Sequence, residues 1–150
     1  MKADEPIRRR IAGLLDEQRL AVLSTQHGGA PYASLVGFAA EKDLSRIYFA
    51  TPETTRKYRN ICADSRVALL VDSRTHREAD FHQAAAVTVV GTAAEVDKAA
   101  DPGAVSLYLF RHPYLADFLR APTTRLLSIL VDRYLLVENF QNVMELQMRP

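Results

Sequence analysis

Short β-rich runs separated by turn residues fill most of the chain, and their order is the feature that most constrains the fold. The first two runs are joined through Gly28-Gly29, a dipeptide typical of tight hairpin turns. Neighbouring runs joined by short turns pair antiparallel, whereas a doubly wound sheet needs strands and helices that alternate. They do not alternate here, so a doubly wound sheet is not predicted. The predicted strands span residues 20–25, 30–39, 46–50, 67–71, 83–96, 126–131 and 134–140.

Two positions in the later runs leave the strand count at six or seven. Asp132-Arg133 separates the last two runs and indicates either a tight turn or a kink in one long strand. Gly91 lies inside the 83–96 run. Glycine weakens the interior of a strand, so its presence there indicates a bulge or a bend.

Helices are predicted at three places between and before these runs. Apolar residues at helical spacing predict an amphipathic helix over residues 6–18, with a proline suited to its first turn. Thr54 or Thr55 can cap a second helix that ends near Ala63. A third helical region, 99–120, is divided near His112-Pro113. Together these elements predict an α+β, mainly β protein built on a closed or partly closed antiparallel barrel.

Composition narrows the class of protein further. A chain of 150 residues with 48% apolar residues suits a single domain over residues 1–150. The formal net charge of +1 gives no electrostatic case for nucleic-acid binding. The sequence shows neither a signal peptide nor a run of about 20 apolar residues, so we expect a cytoplasmic protein without a membrane partner. The single cysteine, Cys62, excludes an intrachain disulfide and is predicted to be a small buried residue on a helix.

The segment after the third strand carries the clearest chemical signal. Thr51 ends the strand, Thr54 and Thr55 follow, and the helix then opens with Arg56 and Lys57. Hydroxyls, cations and the free N–H groups of a helix start are matched to a phosphate. Spacing alone also fits a capped helix with a solvent-exposed basic face. However, cations near a helix N-terminus are unfavourable by some tenths of a kcal/mol, which favours an anion there.

Four segments, taken in order, resemble a known family. They are residues 28–36, 47–51, 55–61 and 65–71. Together they resemble the flavin-binding split barrels related to pyridoxamine 5′-phosphate oxidase, closely over residues 20–96 and more loosely beyond. The resemblance implies a six- to seven-stranded antiparallel split β-barrel with flanking helices. It also implies a homodimer with FMN at the interface.

The resemblance also assigns roles to particular residues. Thr55 and Lys57 match the family's phosphate-binding pair, with Arg56 between them and Thr51 as a further phosphate or ribityl neighbour. Gln83 matches a polar residue given by the partner subunit. Phe140 is a hydrophobic wall over the partner's flavin, or part of the core. The second strand contributes Ala33, Ser34, Leu35 and Val36, whose backbone meets the polar edge of the isoalloxazine ring while the Ser34 hydroxyl can donate a hydrogen bond.

The chain departs from true pyridoxamine-phosphate oxidases at its C-terminus, where their arginine-rich stretch is missing. Oxidation of vitamin B6 is therefore not expected. We predict an FMN-dependent oxidoreductase with a small-molecule electron donor and acceptor and no catalytic side chain. One alternative is a non-catalytic flavin store or a haem-binding protein, with His112 or His82 as axial ligand. Another is a deazaflavin-dependent reductase that would rely on Arg56, Lys57 and Arg59. The histidines, which include His27 and His76, lack metal-ligand spacing.

Overall fold

The computed structural model describes residues 4–150. Seven strands form one sheet, and five short to medium helices flank it. A single turn of 3-10 helix, Pro113–Leu115, joins the last two helices. The strands are β1 Leu20–His27, β2 Ala30–Ala40, β3 Arg46–Pro52, β4 Arg66–Asp72, β5 Ala85–Val96, β6 Thr124–Glu138 and β7 Asn142–Gln147. The helices are α1 Glu5–Glu17, α2 Arg56–Ala63, α3 Asp80–Gln83, α4 Pro102–Arg111 and α5 Ala116–Arg120.

The sheet closes into a six-stranded antiparallel barrel. Its strand order is β3-β2-β1-β4-β5-β6-β7, and an additional β3–β6 pairing joins the ends of the first six strands. The barrel is split between β2 and β3. These strands pair only at Phe38–Phe49, Ala39–Tyr48 and Ala40–Ile47 and then diverge. The predicted class and architecture are confirmed.

Alternating side chains place an apolar core inside the barrel. Inward-facing residues of every barrel strand, such as Leu23, Phe49 and Ile129, are fully buried. Helix α1 inserts Ile11 into this core, and α2 inserts Ile61. A second apolar cluster lies on the outer face of β2, β3 and β6, where α4 and α5 cover it. Helices thus cover part of the barrel's outer surface and leave the face of β1, β2 and β4 open.

The structure decides between the two alternatives that the sequence left open for the C-terminal strands. Residues 124–138 form a single strand, so Asp132-Arg133 marks a kink and not a turn. The register shifts there, because Val90 pairs with Arg133 while Gly91 pairs with Val131. A Cβ at Gly91 would lie 2.3 Å from the carbonyl oxygen of Leu130, so the bulge requires glycine. Strand β6 pairs with β5 along one side. Along its other side it pairs with β3 before the bend and with β7 after it.

Three local expectations are wrong. Gln83 ends the short helix α3, and β5 begins at Ala85. The backbone N–H groups of Gln83 and Ala84 bond to the carbonyls of Ala79 and Asp80 and form this helical turn. The Asp80 carboxylate orders the loop before it, since it accepts hydrogen bonds from the backbone N–H groups of Thr75 and His76. The predicted strand 134–140 extends two residues too far, because β6 ends at Glu138 and residues 139–140 lie in the β6–β7 turn. Strand β7 was not predicted. Cys62 is exposed on α2 and not buried.

Candidate functional site

The turn between β3 and α2 brings two threonine hydroxyls together. Thr51 is buried at the end of β3, and Thr55 is the N-cap of α2. Their Oγ1 atoms lie 2.7 Å apart, and the Thr55 oxygen accepts a hydrogen bond from the backbone N–H of Tyr58 at 3.3 Å. Thr55 Oγ1 donates to the carbonyl of Pro52 at 3.0 Å. The hydroxyls are therefore held within hydrogen-bond distance of each other, whereas Thr54 is exposed.

Two adjacent cations follow these threonines on α2. Burial lowers the pKa of Lys57, because removing solvent disfavours the charged ammonium. Neither Lys57 nor Arg56 forms an ion pair within residues 4–150. The Arg56 guanidinium lies 5.4 Å from the centre of the Tyr32 ring, a cation–π distance. A partly desolvated cation with no counter-ion at a helix start is suited to a bound anion.

Strand β2 presents an unpaired edge to the split. Residues 30–37 pair with β1 on one side, and within the described chain their other side pairs with no strand. Their backbone N–H and C=O groups are therefore available to a ligand. Ser34 adds a buried hydroxyl oxygen that has no hydrogen-bond partner within residues 4–150. Such a group is costly unless something binds it, so its presence at the split indicates a ligand.

Side chains of β2 alternate between its two faces. Leu35 pairs with the outward-facing Val22, and Leu35 is 64% exposed. Ala33 lies on the same outer face, whereas Val36 is buried on the opposite face with Ser34. The four predicted β2 residues therefore do not share one side-chain surface. What they share is the free backbone edge.

An ion-pair network fixes both ends of the Pro52–Lys57 turn. Arg125 of β6 binds Glu53 at 2.6 Å and Glu95 of β5 at 3.3 Å. Glu95 also accepts a hydrogen bond of 2.6 Å from the hydroxyl of Tyr58 on α2. Residues before and after the threonine cap are thus attached to the same two strands. This network joins residues that are distant in sequence, and no local pattern revealed it.

A second contact missing from the sequence analysis involves His112. This residue is 1% exposed, and its Nε2 donates to the carbonyl of Phe38 at 2.8 Å. Its Nδ1 accepts from the hydroxyl of Tyr114 at 3.1 Å, and the Tyr108 hydroxyl donates to the carbonyl of Gly37. Burial lowers the pKa of His112, which keeps the ring neutral. The histidine attaches α4 to β2, and haem could coordinate it only if one of these two hydrogen bonds were broken. His82, the other candidate axial ligand, is exposed on α3.

Gln83 and Phe140 lie far from the threonine turn within one chain. Helix α2 lies before the first residue of β4, and the loop that leads to α3 and Gln83 follows the last residue of β4. The length of β4 therefore separates this loop from α2. Seven residues of strand span about 23 Å. Phe140 lies in the β6–β7 turn at φ 59°, is exposed, and stacks on Phe81 with ring centroids 5.7 Å apart.

No group of three or more His, Cys, Asp or Glu side chains within residues 4–150 is arranged to hold a metal ion. In the same part of the chain, no helix has the length and apolar character needed to cross a membrane.

Comparison with known proteins identifies the family of this chain. The family model for pyridoxamine 5′-phosphate oxidase matches residues 7–137. The chain belongs to this family. No curated protein sequence matches it. Residues 51–57, where the threonines and cations meet, and the free edge of β2 both lie inside the matched region.

Solved structures with low sequence identity share the fold. A heme binding protein from Mycobacterium smegmatis has a TM-score of 0.80 at 15% identity, over 93% of this chain and 57% of that one. A FAD-binding protein from Mesorhizobium loti has a TM-score of 0.67 at 18% identity, over 84% and 88% of the two chains. General Stress Protein 26 from Bacillus anthracis has a TM-score of 0.70 at 19% identity, over 95% and 98%. This chain therefore spans little more than half of the mycobacterial protein.

Proposed function

We propose that this protein binds FMN and works as an oxidoreductase on a small molecule. The observation that carries the proposal is Lys57, a partly desolvated cation that forms no ion pair within residues 4–150 and lies two residues after Thr55 of the Thr51–Thr55 hydroxyl pair. Ser34, whose buried hydroxyl oxygen has no partner, supports a ligand at the same split. The residues present therefore fit a flavin phosphate and the polar edge of its ring.

Each part of the site has a distinct task in this proposal. Lys57 and Arg56 neutralise the phosphate, and Thr55 and Thr51 donate hydrogen bonds to it once their hydroxyls turn away from Pro52. The free backbone edge of β2 binds the polar edge of the ring, and Ser34 donates from its hydroxyl. A bound flavin supplies hydride or electron transfer, while the protein supplies orientation and electrostatics. No side chain is required as an acid or a base.

The open outer face of the barrel supports the homodimer. Val22 is flanked by Leu35 on β2 and by Leu70 on β4, and Leu20 lies further along β1. Leu20, Leu35 and Leu70 are all large apolar residues at the surface. A contiguous apolar patch of this kind marks an association surface. A second copy packed there would bring its own Gln83 and Phe140 toward the flavin, which is the arrangement we propose for these two residues.

Oxidation of vitamin B6 is not part of the proposal. Strand β7, the last strand of the chain, contains no basic residue. The arginine-rich stretch that grips a substrate phosphate in true pyridoxamine-phosphate oxidases therefore has no counterpart there. The substrate we expect is a small molecule that needs no second phosphate site.

The test is an absorbance spectrum of the purified protein before and after mixing with FMN and gel filtration. We expect visible flavin bands retained at about one flavin per subunit. Bleaching of these bands by a reduced nicotinamide would establish the oxidoreductase. Flavin that no donor reduces would instead indicate a store. A colourless protein that ignores FMN and gives a Soret band with haem would refute the proposal and favour the haem-binding alternative.

A further inference from the structure

A cavity lies where the connection between β4 and β5 meets the β6–β7 turn. Its volume is about 560 Å³. That size lies within the range of about 300–1,000 Å³ that is typical of small-molecule sites. The floor of the cavity is apolar, because Ala86 of β5 and Val137 of β6 are cross-strand partners that share one face of the sheet, and Ala84 lines it beside them. The length of β4 separates this cavity from the Pro52–Lys57 turn of the same subunit.

Two phenylalanines form one wall of the cavity. Phe81 of α3 is 64% exposed and Phe140 of the β6–β7 turn is 62% exposed. Their rings stack on each other, with centroids 5.7 Å apart and planes inclined by 25°. Large apolar rings that remain at a surface keep an unfavourable contact with water. A planar ring added to this pair would remove part of that contact and gain the offset-stacked geometry that aromatic groups prefer.

The backbone around this wall is strained. Asn139 and Phe140 have φ angles of 53° and 59°, and His76, which also lines the cavity, has a φ of 63°. None of them is glycine, and the left-handed region is unfavourable for residues that carry a Cβ. Strained backbone of this kind persists where the surrounding structure enforces it, and it clusters at ligand-binding sites. The strain therefore supports a ligand at the same place as the exposed aromatic pair.

The charged groups around the cavity are paired or balanced. Arg74 binds Asp72 at 2.8 Å, and the Asp80 carboxylate accepts hydrogen bonds from two backbone N–H groups of the loop before it. The other two charged residues of the lining, Arg77 and Glu78, are exposed and opposite in sign. A charged ligand would lose hydration here without gaining a net electrostatic partner. The lining therefore favours a neutral occupant.

We infer that this cavity binds a neutral, planar aromatic molecule of one or two rings, which stacks on the Phe81–Phe140 pair. The binding itself does not require a flavin. In the homodimer proposed above, Phe140 reaches the partner's flavin, so an occupant of the cavity would lie against that flavin. Neutral planar aromatic molecules are then the substrate class of the proposed oxidoreductase, and this second step rests on the proposed function.

The test is a calorimetric titration of naphthol, a neutral two-ring aromatic, into the purified protein with and without added FMN. We expect about one naphthol per subunit. Phe81→Leu and Phe140→Leu should each weaken its binding about two- to tenfold, the scale of one aromatic stacking contact, because leucine keeps an apolar side chain and removes the ring. Phe110→Leu is the matched control, since Phe110 is an exposed phenylalanine of α4 outside the cavity, and it should leave the affinity unchanged. Circular dichroism and melting curves that match the wild type establish that each variant is folded.

Two relatives of naphthol test the chemistry of the occupant. Decalol has the same ring skeleton but is saturated and not planar, and naphthoate has the same planar rings but carries a negative charge. Both should bind more weakly than naphthol. If either binds as tightly as naphthol, the inference is overturned, because stacking or neutrality would then not decide the binding.

The outcomes separate this inference from the proposed function. Retained FMN without naphthol binding would overturn the inference and leave the proposed function intact, whereas naphthol binding without FMN binding would refute only the proposed function. Displacement of FMN by naphthol would overturn the inference, because the cavity would then belong to the flavin itself. With both ligands bound, we expect a broad long-wavelength absorption band from charge transfer between stacked rings. Absence of that band would overturn the assignment of the occupant as the substrate.

Discussion

Replacing Lys57 by methionine should weaken flavin binding and, at the same time, leave the free protein as stable as before or more stable. The lysine is partly desolvated and forms no ion pair within residues 4–150, so its charge costs stability in the free protein. Methionine keeps a flexible apolar stem of similar length and removes the charge. Most structural mutations lower stability and binding together. Opposite signs would therefore mark a residue kept for its ligand.

The magnitude follows from the loss of one charged contact to the phosphate. A hydrogen bond to a charged group contributes about 1.5–3 kcal/mol. The dissociation constant for FMN should therefore rise about tenfold to more than a hundredfold. Riboflavin has no phosphate, and its affinity should not change. Lys42→Met, in the exposed turn after β2, removes the same charge elsewhere and should leave both affinities unchanged.

The pH dependence of stability gives Lys57 a second signature. Its pKa in the folded protein is lowered from the ordinary value of 10.5 by burial. Between the lowered pKa and 10.5 the unfolded chain holds a proton that the folded chain has lost, so the free energy of unfolding rises with pH. Lys57→Met should flatten this rise in urea unfolding curves. Unchanged FMN affinity, or a clear loss of stability in the free variant, would show that the lysine has a structural role and that the phosphate lies elsewhere.

Three further predictions concern stability. Lys98→Met should lower the free energy of unfolding by at least about 1.5–3 kcal/mol in urea, because its ammonium donates to three backbone carbonyls around α5. Burial lowers the pKa of His112 below 6.5, so the wild type should lose stability as pH falls through about 6.5, where the unfolded chain takes up the proton first. In His112→Gln that loss should disappear, and a slope equal to the wild type would contradict the assignment. Gly91→Ala should lower the free energy of unfolding by about 1–3 kcal/mol or more, since the added carbon would lie 2.3 Å from a backbone carbonyl oxygen of β6. Gly13→Ala, whose added carbon meets nothing within 4 Å on α1, is the control and should stabilise by about 0.5–1 kcal/mol.

The split between β2 and β3 explains why a barrel of this kind offers a ligand site. Once the two strands diverge after Phe38–Phe49, β2 keeps an unpaired backbone edge and β3 ends in the Pro52–Lys57 turn. Hydrogen-bonding groups on one side and hydroxyls and cations on the other therefore face the same gap. Contacts from Arg125 to Glu53 and from His112 to Phe38 hold the two sides in place.

The sequence predicted the elements whose patterns are local. Gly28-Gly29 indicated the first hairpin, and Gly91 indicated a bulge or a bend; both are confirmed, with the extra residue of the bulge, Asp132, lying in β6. Of the two candidate caps of α2, Thr54 and Thr55, the structure uses Thr55. The errors fall where a distant or unusual contact decides the outcome. The predicted strand began at Gln83, but Gln83 lies on α3, after a loop that the carboxylate of Asp80 organises. The β6–β7 turn was missed because Asn139 and Phe140 adopt positive φ without a glycine to mark the turn.

What the sequence determined by itself is the antiparallel, mainly β class and the chemical character of the turn after β3. Both depend on alternation, turn residues and residue types within a few positions of one another. The tertiary structure alone decided which groups lack partners. Within residues 4–150, Lys57 has no counter-ion and the buried hydroxyl oxygen of Ser34 has no hydrogen-bond partner. Both ring nitrogens of His112 are hydrogen-bonded, to Phe38 and Tyr114. All three are properties of the surroundings. Those surroundings are assembled from strands and helices far apart in the chain, and closure of the barrel is the step that brings them together.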